Sequence, residues 1–506
     1  MDYPIWELAM GGGMLMAIVA IPHVIVSHFA IGGGLLIVVT ETLAVKRNDP
    51  ELRELARRSS LVLILVSTVF GAISGVGIWV VAGLISPAAI SALIHTYVWG
   101  WAIEWVFFVI EIVAALVYYT TWDKVSKGAH LLVGWLYFIG AYLSLVIING
   151  IITFMLTPGR WLVTNAFWDG FFNPTYWPSL VLRTGIVILM ATAFMVFPAL
   201  KTAADRRAGV LRYLGWWVVG GTLLSYAGYR WWEAMLPSTV RNLFSGPEPA
   251  LTALASTRSF ALWSLTLALV VGVLILILAP RVARPLTAVV MALAAFAFFG
   301  GYERLREGVR KPFLIHSHLF SNGLLVSDIG AINEGGVLAR SGWAAHGVND
   351  SLTMGRNIFR TECSSCHTLD GYQSIRRALP TYSDVLDLAA GEGVGVFDSE
   401  CARCHPDVSE AEMREMLPTP TEIVEDPDMI HDLNQGMIYM AVSQLQEMGG
   451  VYAAAPRGEM INTADLYSSY MPPFVGSDEE LEALVEYLAF LDSGEGVEFS
   501  ANGGGR

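Results

Sequence analysis

Apolar residues form long stretches throughout roughly the first three hundred positions of the chain. Eight of these stretches are long enough to cross a bilayer as helices, at about 20 residues each. The predicted spans are 14–44, 61–85, 94–120, 131–156, 180–200, 213–236, 259–280 and 286–302. The pattern therefore predicts an eight-span transmembrane helix bundle over residues 1–302.

The pattern changes at Glu303, where polar, acidic and glycine-containing sequence begins. We expect a connector over residues 303–350 and a second domain over 351–506, with short helices joined by long loops. In the last predicted helix, 478–492, acidic residues fill the first turn and apolar residues recur at helical spacing, so this helix should pack on another element. The predicted fold is all-α in both domains.

The composition is also that of a membrane protein, and the charged residues are unevenly distributed between the two predicted domains. Of the 506 residues, 54% are hydrophobic and 15% charged, which excludes an ordinary soluble enzyme, a disordered chain and a fibre. Residues 1–302 carry 18 Lys/Arg against 13 Asp/Glu, whereas residues 303–506 carry 13 against 32. So acidic a second domain disfavours nucleic acid and suits docking of a basic soluble protein.

Basic residues cluster after the first, third, fifth and seventh spans, which makes those linkers cytoplasmic by the positive-inside rule. They include Lys46, Arg47, Arg53, Arg57, Arg58, Lys124, Lys127, Lys201, Arg206, Arg207, Arg212, Arg281 and Arg284. The N-terminus and the acidic domain are then expected on the periplasmic side of a bacterial inner membrane. The first span is expected to act as a signal anchor.

All four cysteines lie in two C-x-x-C-H motifs of the acidic domain. The first is Cys363, Cys366 and His367, and the second is Cys401, Cys404 and His405. This spacing lets two thiols bond to one haem while the histidine reaches the iron. Disulfides are the alternative outside the cytoplasm, but they give no reason for a histidine after each pair. We therefore predict two covalently bound haem c groups.

The sequence leaves more than one candidate for the second axial ligand of each haem c iron. Met471, in the segment Tyr470–Phe474, resembles the methionine ligand of class I c-type cytochromes, and the segment Gly355–Phe359 resembles their N-terminal helix. His367 with Met471 is the favoured pair in a single class I-like fold that carries an insertion for the second haem, and His405 with Met471 is the alternative. Candidates for the other iron are Met413, Met416, Met429, Met437, Met440, His431 and His346.

Three ionisable residues interrupt the apolar spans. His23 lies in the first span, and Glu104 and Glu111 lie in the third. Each such group costs about 2.5 kcal/mol or more in a bilayer unless it has a partner, so all three are candidate functional residues, although a histidine packed in a helix bundle is common.

These residues resemble motifs of subunit I of the cytochrome bd quinol oxidases over about residues 1–315. His23, 18 residues before Glu41, matches the family's haem-ligating histidine, and Glu104 and Glu111 match the glutamates of its haem site and proton path. Glu307 and Arg310, in Glu307–Phe313, are similar to the family's Glu-x-Gly-Arg-Gln-Pro-Trp motif. The resemblance implies one or two membrane haems, of b and/or d type, bound through His23, Glu307 and Glu104.

Two family features are missing. Arg183 stands near the place of the histidine that ligates the family's low-spin haem b, and Thr266 and Ala268 stand at its arginine and methionine. The loop 237–258 is too short for the family's quinol-binding loop. Arg183 is interpreted either as a haem-propionate contact or as an interfacial anchor.

The resemblance and the cysteine motifs together imply a bd-like terminal oxidase. It would accept electrons through its own c-type haems from a periplasmic cytochrome c or another basic donor, and reduce O2 with protons relayed by Glu104 and Glu111. The alternatives are a quinol-to-cytochrome c oxidoreductase and a haem-bearing membrane anchor or electron conduit of a larger complex. Nitric oxide is an alternative substrate, and the family implies a further membrane or periplasmic subunit.

Overall fold

The computed structural model is mostly helical and divides into a membrane bundle and a smaller C-terminal part. It describes residues 5–245, 249–342, 350–377, 428–463 and 470–492, together with the single residues 379, 409, 411, 466 and 468.

The membrane part consists of thirteen helices in the described residues, with two π-helical segments, Leu65–Gly71 and Gly272–Leu278. The α-helices are α1 Gly12–Arg47, α2 Pro50–Ile64, α3 Ala72–Ile85, α4 Pro87–Thr96, α5 Val98–Thr120, α6 Lys127–Leu156, α7 Trp161–Thr164, α8 Phe167–Phe171, α9 Tyr176–Ala199, α10 Ala204–Met235, α11 Ser238–Arg241, α12 Pro249–Val271 and α13 Pro285–Gly308. Short 3-10 turns lie at Asn242–Ser245 and Pro280–Val282.

Seven described helices are long and apolar enough to cross a membrane. They are Gly12–Arg47, Pro50–Ile85, Val98–Thr120, Lys127–Leu156, Tyr176–Ala199, Thr252–Leu278 and Pro285–Gly308. The sixth predicted span, 213–236, coincides except for its last residue with part of α10, which is long enough to cross a membrane but is rich in Trp, Tyr and Gly, residues of low hydropathy. The helical bundle agrees with the prediction, whereas the count of eight spans stays a prediction.

The second span begins eleven residues earlier than its apolar run predicts, at Pro50 rather than residue 61. The Asp49 side chain accepts hydrogen bonds from the backbone N–H groups of Glu51 and Leu52, at 3.1 and 3.2 Å. Pro50 occupies the first helical position, where its missing N–H costs nothing. The cap therefore extends this helix beyond the bilayer-length segment.

Glycines let the central helices of the bundle approach closely. A Cβ atom at Gly32 of α1 would collide with the backbone carbonyl of Val187 in α9, and one at Gly185 of α9 with the backbone of Ser225 in α10. Such small residues at helix contacts are typical of membrane bundles, in which van der Waals packing drives association. Helix α9 is consequently the most buried of the seven spans.

The two ends of the bundle differ in chemistry. At one end, Arg53 and Arg57 pair with Asp123 at 2.6 and 2.8 Å, and Arg206 pairs with Asp49. At the other end, Glu7 pairs with Arg360 of the C-terminal part, next to α1. Because α1 is 36 residues long and rises about 54 Å, the basic end and the C-terminal part lie on opposite sides of the bundle.

The C-terminal part has its own hydrophobic core. Its described elements are the antiparallel strands β1 Phe313–Ile315 and β2 Leu319–Phe320, the 3-10 turns Val326–Asp328 and Leu338–Arg340, the π-helix Phe359–Cys363, and α14 Ile329–Gly335, α15 Ser351–Ile358, α16 Asp428–Ala454 and α17 Asp478–Asp492. Residues of the predicted connector, such as Phe313, Phe320 and Ile332, belong to this core.

Helix α17 has the range that the sequence predicts for the last helix, and the structure shows how it begins. The Ser477 hydroxyl accepts from the Glu480 N–H at 3.3 Å, while the Glu480 carboxylate accepts from the Ser477 N–H at 3.1 Å. This is a capping box. The same carboxylate accepts from the N–H groups of Val337 and Leu338, at 2.8 and 2.9 Å. Glu480 therefore fixes the connector to the last helix.

Candidate functional site

The first C-x-x-C-H motif forms a compact turn after α15. The His367 N–H donates to the Cys363 carbonyl at 2.8 Å, and both thiols are free and half-buried. The His367 Nδ1–H donates to the Gln373 carbonyl at 3.2 Å, which leaves Nε2 with a lone pair for a metal. Burial lowers the pKa of His367, which favours the neutral, ligating form. Two free thiols and an oriented imidazole fit a covalently attached haem.

Helices α15 and α17 cross directly behind this motif. A Cβ atom at Gly355 would collide with the Ala483 carbonyl and with Tyr487, and the rings of Phe359 and Tyr487 lie 6.0 Å apart. The crossing thus needs Gly355, the first residue of the segment Gly355–Phe359. The resemblance of this segment to class I cytochromes stays a prediction.

Glu362 joins the cysteine motif to the loop that contains Met471. Its Oε2 atom accepts from the Val475 N–H at 3.1 Å, while its Oε1 atom is buried without a hydrogen-bond partner. Burial raises the pKa of Glu362 well above its usual range, and the nearby Glu480 carboxylate raises it further. Met471 itself is 37% exposed. The structure brings the Met471 loop beside the first motif, and the His367–Met471 pair stays a prediction.

Several predicted haem residues lie outside the part of the chain that the structure describes. They are Cys401, Cys404, His405, Met413, Met416 and His346. Met429 and His431 fall on α16, but their side chains are also outside the described set, whereas Met437 and Met440 are on the same helix within it. The second haem-attachment site is therefore still a prediction from sequence alone.

His23 is half-buried in α1, facing the end of the π-helix. Its Nδ1 lies 3.1 Å from the Gly71 carbonyl and 3.2 Å from the Ser74 hydroxyl. Nδ1 donates to that carbonyl, so Nε2 keeps its lone pair. A Cβ atom at Gly75 would lie 3.0 Å from the imidazole, so this glycine leaves room beside the ring. An imidazole oriented by the Gly71 carbonyl, with a lone pair left on Nε2, fits a haem ligand.

Glu104 and Glu111 project from the same face of α5 toward α6. The Ser144 hydroxyl donates to Glu104 at 2.8 Å, and the Glu111 carboxyl group contacts the Tyr137 hydroxyl. Each carboxyl group thus has one polar partner on α6, which lowers the cost of placing it in the membrane.

Glu307 and Arg310 form an ion pair instead of pointing into the bundle. Arg306 donates to Glu307 Oε1 at 2.6 Å, and Arg310 donates to Oε2. Arg310 also donates to the carbonyls of Phe313 and Leu314, at 3.1 and 2.6 Å. Both carboxylate oxygens of Glu307 are therefore occupied by guanidinium groups. Its role as a haem ligand stays a prediction, and the geometry shows it anchoring the start of the connector.

One turn earlier, Glu303 takes part in a buried polar cluster that the sequence did not reveal. Arg183 donates to Glu303 at 2.6 Å and to His28 Nε2 at 3.2 Å, while His28 Nδ1 donates to the Val24 carbonyl at 2.8 Å. Arg306 donates to the second Glu303 oxygen at 3.0 Å. One sequence feature could have indicated this cluster: Glu303 and Glu307 are four residues apart and therefore lie on one helix face.

Arg183 is 2% exposed and lies over the rings of Phe299 and Tyr302, with centroid distances of 5.9 and 5.7 Å. The guanidinium thus sits inside the bundle between α1, α9 and α13. Its interpretation as an interfacial anchor is wrong, because its partners are buried protein groups instead of headgroups. His95, an exposed histidine of the membrane half, contacts Ser91 of its own helix turn.

Comparison with known proteins finds a family match within the membrane part. Residues 13–212 match the family model for cytochrome bd terminal oxidase subunit I. Among solved structures, the chain is similar to the bd oxidase from Geobacillus thermodenitrificans, with a TM-score of 0.52 and 16% sequence identity over 60% of this chain and 87% of that one. This likeness shows the fold alone. A search of curated proteins found no match.

Proposed function

We propose that the protein is a bd-like terminal oxidase that receives electrons through its own c-type haems from a basic periplasmic donor and reduces O2. The observation that carries the proposal is the pairing of a bd-type membrane bundle, matched over residues 13–212, with a C-x-x-C-H turn whose thiols are free and whose imidazole is oriented. Haem bound at these sites supplies one-electron redox chemistry and the means to activate O2.

The cysteine motif lies against the outer end of the helix that carries His23. The Tyr372 N–H donates to the Ala9 carbonyl at 3.2 Å, and Gly11 lies in van der Waals range of Thr368 and Tyr372. From the start of α1 at Gly12, His23 is eleven residues further along, or about 16 Å of helix. These contacts support a route for electrons from the first motif to the membrane histidine.

The role of each ligating residue follows from its hydrogen bonds. The Gly71 carbonyl orients His23, the Gln373 carbonyl orients His367, and Glu362 holds the Met471 loop beside the first motif. Hydrogen bonding of the second ring nitrogen fixes the tautomer of a ligating histidine. Glu104 and Glu111 would relay protons within the bundle, where each carboxyl group has a polar partner on α6.

The proposed orientation has the basic end in the cytoplasm and the C-terminal part in the periplasm. It is supported by the arginine-rich end at Arg53, Arg57 and Arg206 and by the positive-inside rule. The net negative charge of residues 303–506 favours association with a basic donor. A further subunit is part of the proposal because the resemblance to the bd oxidase family implies one.

A quinol-to-cytochrome c oxidoreductase is the second candidate. It keeps the same haem sites but reverses the electron flow. The buried Arg183–Glu303 pair argues against it, because this pair fills the place where the family's low-spin haem ligand was expected.

Replacing His23 with alanine should remove the absorbance of membrane haem while leaving the c-type signal unchanged, because the covalent attachment at Cys363 and Cys366 does not depend on His23. Glu307→Ala tests the second predicted ligand in the same way. The measurement is a reduced-minus-oxidised spectrum of each purified variant. His95→Ala is the matched control, since it removes an exposed membrane-half histidine. An unchanged membrane-haem signal in His23→Ala would contradict the assignment.

A further inference from the structure

The loop that follows His367 is held in shape by its own hydrogen bonds. We call the residues from Thr368 to Gln373 the histidine loop. The Thr368 hydroxyl accepts from the Gly371 N–H and donates to the Tyr372 carbonyl, both at 2.9 Å. The Gln373 carbonyl accepts from Nδ1 of His367 at 3.2 Å. The imidazole is therefore fixed to the loop, and contacts that position the loop also position the candidate iron ligand.

The residues that lead into α1 form a short segment tied to the membrane bundle at both ends. We call residues 5–11 the N-terminal strap. The Trp6 N–H donates to the Leu84 carbonyl near the end of α3 at 3.1 Å, and the Gly11 N–H donates to the Leu8 carbonyl at 2.8 Å. Gly11 has a φ of 76°, which glycine adopts without strain, and α1 begins at the next residue. The strap thus rests on α3 and turns directly into α1.

The histidine loop lies directly on the strap. The Tyr372 N–H donates to the Ala9 carbonyl at 3.2 Å, and Arg360, which precedes the cysteine motif, pairs with Glu7. A Cβ atom at Gly371 would collide with the Ala9 carbonyl, although Gly371 does not adopt a positive φ. Its backbone conformation is therefore open to other residues, and the close approach to the strap is what requires glycine.

The strap, α1 and α3 form a closed frame around the membrane histidine. The strap continues into α1, which carries His23, and His23 donates to the Gly71 carbonyl at 3.1 Å. Helix α3 begins directly after Gly71 and ends beside Leu84, whose carbonyl holds the strap. The two helical sides of this frame rise about 16 Å along α1 and about 20 Å along α3. The contacts between the strap and the histidine loop consequently set the position of His367 relative to His23.

We propose that the N-terminal strap is the docking seat of the first covalent haem, and that Gly371 is the positioning residue that brings the histidine loop close enough for electron transfer to the haem bound through His23. The inference rests on the proposed function, in which electrons enter through the covalent haems.

The step at this seat transfers one electron and no atom. The covalent haem is oxidised from ferrous to ferric, the membrane haem is reduced from ferric to ferrous, and the basic donor protein of the proposed function then reduces the covalent haem again. Because the rate of electron tunnelling falls steeply with the gap between donor and acceptor, displacement of the histidine loop from the strap slows the step.

The test measures electron transfer inside the purified full-length protein with its haems bound, in the absence of O2. A light flash with a photo-excited soluble reductant reduces the covalent haem, and absorbance then follows the arrival of the electron at the membrane haem. Gly371→Ala should lose the fast phase of this arrival, because the added methyl group pushes the histidine loop away from Ala9. The static spectra and midpoint potentials of both haems should stay unchanged, since no ligand is altered.

Gly330→Ala is the matched control. Gly330 lies on α14 of the same C-terminal part, and a Cβ atom there meets nothing within 4 Å, so electron transfer should be as fast as in the unaltered protein. Hydrogen exchange gives a readout that is independent of electron transfer. The Tyr372 amide, bonded to Ala9 in the docked loop, should exchange faster in Gly371→Ala than in Gly330→Ala. Equal exchange of this amide in the two variants would overturn the seat.

Charge reversal on the strap provides a second set of variants at a partly exposed contact. Glu7→Arg places two like charges together at Arg360 and should slow electron transfer. The double variant Glu7→Arg with Arg360→Glu should restore the rate, because the ion pair forms again with its charges exchanged. Fast transfer in both Gly371→Ala and Glu7→Arg would overturn the seat, and so would a double variant as slow as Glu7→Arg alone.

O2 uptake with a reduced donor protein separates failure of the seat from failure of the proposed function. Fast transfer in every variant of a protein that consumes O2 would overturn the seat alone. Slow transfer in Gly371→Ala and Glu7→Arg, recovered in the double variant of a protein that consumes no O2, would support the seat and overturn the oxidase function.

Discussion

Replacing Cys366 with serine is expected to remove one covalently bound haem and to abolish O2 uptake supported by a reduced soluble cytochrome. One thioether bond is lost, and the His367 turn, in which Cys366 N–H donates to the Cys363 carbonyl at 3.0 Å, loses its anchor to the porphyrin. The membrane-haem spectrum should remain, because His23 lies on a different helix and is oriented by Gly71 and Ser74. Spectra and oxygen-electrode traces of the same preparation check both parts.

Ser365→Ala is the control for this variant. The Ser365 hydroxyl lies 3.6 Å from the Cys366 sulfur, so the substitution perturbs the same turn but keeps both thiols. It should leave the c-type signal and O2 uptake unchanged. Donor-supported uptake that survives in Cys366→Ser would mean that electrons reach the membrane part by another route.

Replacing Arg183 with alanine is expected to destabilise the membrane bundle by about 3 kcal/mol or more. The change leaves the Glu303 carboxylate buried with Arg306 as its remaining cation, and removes the donor to His28 Nε2. Breaking a buried ion pair is costly because the partner keeps its charge where water cannot reach it. Unfolding of the purified protein in increasing concentrations of denaturing detergent measures the effect.

Arg230→Ala is the matched comparison. Arg230 pairs with Glu233 at 3.2 Å, but its side chain is 54% exposed, and exposed pairs contribute at most about 1 kcal/mol. Equal loss of stability in the two variants would contradict the burial argument. The double variant Arg183→Met with Glu303→Gln should recover part of the loss, because it removes both charges together.

The sequence predicted the helical bundle and most of its boundaries, because long apolar runs and helix caps are local signals. The exceptions have local causes. Helix α2 begins early because Asp49 caps it, and the many Trp, Tyr and Gly residues of α10 lower its hydropathy below that of the seven spans. The range of α17 was predictable from its acidic first turn and its periodic apolar positions.

The candidate site was predictable only in part. His23, Glu104 and Glu111 stand out because each interrupts an apolar run, and Cys363, Cys366 and His367 form a motif. The contacts of Arg183 with His28 and Glu303 join three separate helices, and the pairing of α5 with α6 is likewise a tertiary feature. No periodicity within one segment indicates which helices become neighbours.

The most direct test of the account is O2 consumption by the purified full-length protein with two donors, a reduced basic cytochrome c and a reduced quinol. The account predicts rapid uptake with the cytochrome, inhibited at high salt because the acidic domain attracts a basic donor through screened charges, and little uptake with quinol. Uptake with quinol alone would contradict the claim that electrons enter through the covalent haems, and no uptake with either donor would contradict the oxidase function.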